Sequence, residues 1–298
     1  MKKLRQAFSI AGYNFRLWRR NPRILVTFAL TFILCFLLSD KTVRFAVAHN
    51  TTLQMLEPFI WSFGDSNSIL LSSVLLVMLF ADMPFLCAGT PFYLVRTDRR
   101  TWILGQVLYI LAATTVYMLF VLASTVLLSM KYAFPGNMWS PTAAILGYTN
   151  AGKRVAIPAL VKTLEMSWPY ESAACIFLLM LGYSGVMVML MLVCNLRYGP
   201  AAGVVSVLVY SVYGILMQPD TIQLLLKLPD EAYYIANVFI GWLSPLNHAT
   251  FHMHNFGYDK LPRLWQSGLI FLGLMAACGM GAVRAVKRYN FNFTGTEG

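Results

Sequence analysis

The chain has 298 residues, of which 58% are hydrophobic and only 12% charged, with a formal net charge of +11. That balance excludes an ordinary soluble domain and indicates an integral membrane protein. The basic excess reads as a topological bias plus attraction to anionic inner-leaflet lipids, and excludes a nucleic-acid binder.

At the N-terminus, residues 2–21 predict an amphipathic interfacial connector helix. Leu4, Ala7, Phe8, Ala11, Phe15 and Trp18 recur at i, i+3, i+4 and i+7, while Lys3, Arg5, Gln6, Arg16 and Arg19 fall away from that stripe. The apolar residues are spread out and form no continuous run, so a cleavable signal peptide is not expected. Pro22 marks the turn into the membrane.

Runs of roughly 20 apolar residues can cross the hydrocarbon core as helices, with every backbone group satisfied internally. Six such transmembrane helices are predicted, at about 22–39, 68–95, 101–130, 172–194, 200–218 and 264–283. The expected fold is therefore an all-α integral membrane protein with a single transmembrane domain over 1–298.

Basic residues near span ends stay on the cytoplasmic side. The N-terminal segment, the loop with Arg96, Arg99 and Arg100, the turn with Arg197, and the tail with Arg284, Lys287 and Arg288 together hold 14 basic residues. Only Asp98 and Glu297 oppose them, whereas the outer loops balance nine basic against nine acidic residues. Both termini are thus expected in the cytoplasm of a multi-pass cell-membrane protein.

Within the second span, Asp82 is the only intramembrane carboxylate, followed by Pro84 and Pro91. An isolated acid at that depth needs backbone groups freed by proline, a reaching basic side chain, or a water-lined cavity. Single acids do not supply paired-carboxylate catalysis or a proton relay.

Gly147 to Arg154, "GYTNAGKR", approaches a phosphate-binding loop but lacks the hydroxyl residue that would hold magnesium. His248, His252 and His254 in "NHATFHMH" have spacing for zinc or copper but no accompanying general base, and read as solvated or pH-responsive groups. No catalytic, cofactor or metal site is predicted in this chain. The five cysteines fall in or beside spans and read as apolar filler. Ala232 to Asn247, broken by Gly241 and Pro245, reads as a re-entrant helix in an outer segment 219–263. Gly199/Gly203 and Gly273/Ala277/Gly281 have the spacing of close helix contacts, within one bundle or at a dimer seam. Segments 131–171 and 219–263 have no firm structural assignment from pattern alone.

This order of elements, with "ADMPF" followed by "RTDRRTWILGQVLYI", resembles the permease subunit of type-2 ATP-binding-cassette (ABC) exporters, in particular a group from Gram-positive gut bacteria. The resemblance implies a bacterial export permease moving a peptide, antibiotic or lipid-like substrate by alternating access. It implies a second permease subunit, identical or paralogous, and separate cytoplasmic ABC ATPase subunits that carry ATP and magnesium. It also implies a first coupling helix from Tyr93 to Trp102, including Arg96, Asp98, Arg99 and Arg100. A second contact would lie at Asn195, Arg197 and Tyr198, and the connector would run through Leu4, Phe8, Phe15 and Trp18. The alternative is a permease-like membrane subunit acting in sensing, immunity or complex assembly without transport.

Overall fold

A computed structural model describes residues 2–81, 83–84, 97–217, 219–227, 229 and 233–289. The described chain is helical apart from one pair of two-residue parallel strands, β1 (Leu53–Gln54) and β2 (Ala133–Phe134). Among the described residues four helices are long and apolar enough to cross a membrane, or five if one bent pair counts as a single span.

Helix α1 (Lys2–Arg16) ends in a 3-10 turn, Leu17–Arg20, and Asn21 caps α2 (Pro22–Ala48) by accepting from the Arg23 amide at 3.1 Å. The predicted first span stopped at residue 39 because Asp40, Lys41 and Arg44 end the apolar window. The helix continues to Ala48, with Asp40 and Arg44 paired at 2.7 Å one turn apart.

The second predicted span, 68–95, is met only over its first part as a helix, and residues 85–95 lie outside the described residues. Helix α3 (Glu57–Phe63) meets α4 (Ser66–Leu79) at 89°, and α4 ends at Leu79. Pro84 lacks an amide donor and biases its predecessor away from helical geometry, so the chain leaves the helix before it. Fourteen residues rise only about 21 Å, less than a bilayer core.

Helix α5 (Arg99–Ser129) matches the third predicted span. After it come α6 (Pro141–Tyr148), α7 (Ala151–Val155) and α8 (Val161–Met166), short helices in the segment left unassigned above. They fold with α3 and the strand pair into a cap. Glu57 is buried there, accepting from the Ser140 amide at 2.7 Å and its hydroxyl at 2.6 Å, while Trp61 stacks on Trp139.

Helix α9 (Pro169–Tyr198) is the centre of the bundle: 72% of its most apolar window is buried, against 11% for the last helix, α14 (Leu264–Ala285). The turn expected at Arg197 is corrected, since α9 runs through Asn195, Arg197 and Tyr198, and Gly199 alone turns the chain. Its φ of 95° suits glycine, and α10 (Pro200–Leu216) starts directly after it. A Cβ at Gly203 would overlap the Asn195 side chain, which explains one half of that small-residue pair. The second stripe divides: Gly281 faces Val193 on α9, whereas Gly273 faces open space.

Helix α11 (Pro219–Leu226) precedes α12 (Tyr233–Leu243) and α13 (Pro245–Ala249), so the expected re-entrant stretch is two helices broken at Ser244. Side-chain pairs establish the helix directions. Thr31 meets Tyr117 and Cys35 meets Val121, so α2 and α5 run parallel. Ser73 bonds Ser184 at 2.8 Å, and Gly182 meets Phe271, so α4 and α14 both pack close to α9. With Gly281 against Val193 further along, α14 also runs parallel to α9. One end of the bundle therefore gathers the start of α2, the start of α5 and the ends of α9 and α14.

Candidate functional site

That end carries the residues expected to meet a partner. Helix α1 lies against the first turns of α5, burying Ala7, Ile10, Ala11 and Asn14. Gly105 permits the approach, because a Cβ there would stand 2.8 Å from Ile10 Cβ. Asn14 Nδ2 donates to Gln106 Oε1 at 3.1 Å, and Trp18 Nε1 donates to Tyr109 Oη at 2.7 Å. Phe15 sits edge-on to Tyr109 at 5.0 Å.

The inward face is rotated from the predicted stripe. Ile10 and Asn14 join it, while Leu4 and Phe8 remain 53% and 58% exposed. Successive residues turn about 100° around a helix, so with Ala7, Ile10, Ala11 and Asn14 inward, Leu4 and Phe8 fall at one margin of the buried face. Helix α1 thus covers protein with one side and offers an apolar edge on another.

At the start of α5, exposed Asp98 pairs with exposed Lys3 of α1 at 3.0 Å. Arg99 Nη1 donates to the carbonyls of Val286, Lys287 and Tyr289 at 3.3, 2.9 and 3.3 Å, closing the C-terminal end of α14. Arg100 is exposed beside it, and Trp102 is buried. Asn195 is also buried, donating to the Met83 carbonyl at 2.7 Å. Arg197 lies over the Tyr198 ring at 5.3 Å, both exposed. Of the expected site residues, Asp82, Tyr93 and Arg96 lie outside the described residues.

The structure therefore brings Leu4, Phe8, Phe15, Trp18, Asp98, Arg99 and Arg100 to one region and places Trp102 and Asn195 in the interior. Gln106, Tyr109 and the carbonyls at the end of α14 are partners that no local pattern marks.

At the other end His248 and His254 are buried and His252 is half-buried, so of the two expected readings, solvated or pH-responsive, the first does not hold for His248 and His254. Ser267 Oγ lies 2.7 Å from His248 Nδ1 and 2.8 Å from His254 Nε2. The far nitrogens face the carbonyls of Trp242 at 3.0 Å and Thr250 at 3.0 Å, so the ring nitrogens of both are engaged. Burial pushes His254 down to about 4 and lowers His248 and His252 as well. Among the described residues, no group of three or more histidine, cysteine, aspartate or glutamate side chains is placed to hold a metal.

Compared with known proteins, the chain matches no family model, no curated protein and no solved structure.

Proposed function

We propose that the chain is the multi-span permease subunit of an ABC exporter in a bacterial cell membrane, with both termini cytoplasmic. One observation carries the reading: the start of α5 is held on one side by Lys3 of α1 and on the other by the end of α14 through Arg99. A displacement applied there moves α1, α5 and α14 together, as a coupling point must. The partners are cytoplasmic ATPases that bind ATP and magnesium, and a second permease subunit, identical or paralogous. Nucleotide-driven closure of the ATPases would shift this end of the bundle and reopen the path between paired subunits on the other side. The rim at Asp98, Arg99, Arg100, Arg197 and Tyr198 would meet the ATPase, with the Arg100 guanidinium offered to carboxylates. The substrate would be peptide, antibiotic or lipid-like.

Co-purification with an ATPase carrying a Walker motif, and substrate-stimulated hydrolysis by that complex in liposomes, is the expected result. Transport by this chain alone in ATPase-free liposomes would sink the proposal.

A further inference from the structure

Between the last turns of α9 and α14 lies an open groove of ≈ 700 Å³. Arg197, Arg284, Lys287 and Arg288 line it with no aspartate or glutamate among the described lining residues, and all four side chains are exposed. Among the described residues none of the four forms an ion pair with a carboxylate. Nor is their charge needed to close α14, because Arg99 already donates to its terminal carbonyls. The two helix ends contribute only about half a negative charge each, far short of balancing four cations.

We infer that this groove holds the phosphodiester headgroup of an anionic phospholipid. Guanidinium groups match phosphate oxygens in pairs, and clustered cations between helix ends attract anionic headgroups. The apolar lining favours a lipid over a soluble polyanion or an acidic protein face. Val193 and Leu196 line the groove beside the four cations, and α14 exposes Leu274 two turns before Gly281 on the same face, where an acyl chain can lie. The inference rests on the membrane placement of this end within the proposed function, but not on transport.

The test is native mass spectrometry of the full chain in neutral detergent, titrated with phosphatidylglycerol, phosphatidylcholine or inorganic phosphate. Phosphatidylglycerol is expected to be retained over phosphatidylcholine, and R284Q with R288Q to weaken it by about fivefold for each charge removed. Lys131→Gln with Arg154→Gln, distant from the groove, should leave retention unchanged. Gel filtration and melting curves of each variant establish that it is folded. Equal retention of both lipids, or an unchanged R284Q/R288Q variant, overturns the inference. So does displacement by equimolar inorganic phosphate, which would make this a free-phosphate site. Protection of the groove by an acidic partner without lipid selectivity overturns it as well. Loss of the ATPase partner with lipid selectivity intact would defeat the transport reading alone.

Discussion

Arg99 and Lys287, 188 residues apart, are joined by a hydrogen bond of 2.9 Å from the guanidinium of one to the carbonyl of the other. With the Val286 and Tyr289 carbonyls on the same nitrogen, one side chain closes the end of α14 and ties it to the first turn of α5. Arg99→Ala should lower stability by about 1 kcal/mol, since a charged donor at a helix C-terminus is worth that much when partly solvated. Hydrogen exchange should quicken across 282–289 and stay unchanged in α9. Under the proposed function the same variant uncouples ATPase stimulation. Unchanged exchange at the end of α14 would show that the contact has no mechanical role.

Glu57 makes the cap sensitive to pH. Burial drives its carboxyl up to about 7, against opposing hydrogen bonds from Ser140. Its folded-state pKa is raised, so its contribution to stability is full below about 4.5 and is lost as pH rises through 7. The span of the shift corresponds to about 3 kcal/mol. Glu57→Gln keeps the shape and removes the titration, so melting temperatures between pH 4.5 and 7 should lose that downward trend.

The histidines act in the opposite sense. Burial lowers His254 to about 4, so its contribution is full above about 6.5 and declines as pH falls toward 4. The two trends overlap and partly cancel in the native chain. His254→Gln should therefore expose the loss of stability toward neutral pH, and Glu57→Gln the loss toward acid. Identical pH profiles for the two variants would contradict both assignments.

Gly105 is the test of the α1 seat. Gly105→Val would drive its Cβ into Ile10 and should detach α1, at a cost of about 1–3 kcal/mol if the helices shift rather than part. Limited proteolysis within 2–21 and a red shift of Trp18 emission measure the detachment. Gly273→Val, which meets open space on α14, is the control and should leave proteolysis unchanged.

Much of the architecture was legible because membrane helices announce themselves through length and hydropathy. The spans at α5 and α14 fell within a few residues of their predicted limits. Charge misled at α2, where an ion pair one turn apart let the helix outlast its apolar window. At the second span, hydropathy counted residues on both sides of Pro84 as one run, although the helix ends at Leu79. Histidine spacing showed that three rings were near one another in sequence. Nothing local showed that Ser267, in another helix, would sit between two of them.

Composition, period and basic loops by themselves determined that this is a helical chain with several helices able to cross a membrane and a basic, amphipathic N-terminal segment. Those properties follow from the solvent each residue prefers, which is local information. Tertiary structure alone decided which face of α1 is buried, that Asn195 turns inward, and that Arg99 reaches the end of α14. Each depends on which backbone carbonyl or glycine surface a distant helix presents, and a side chain's hydropathy contains no record of that partner.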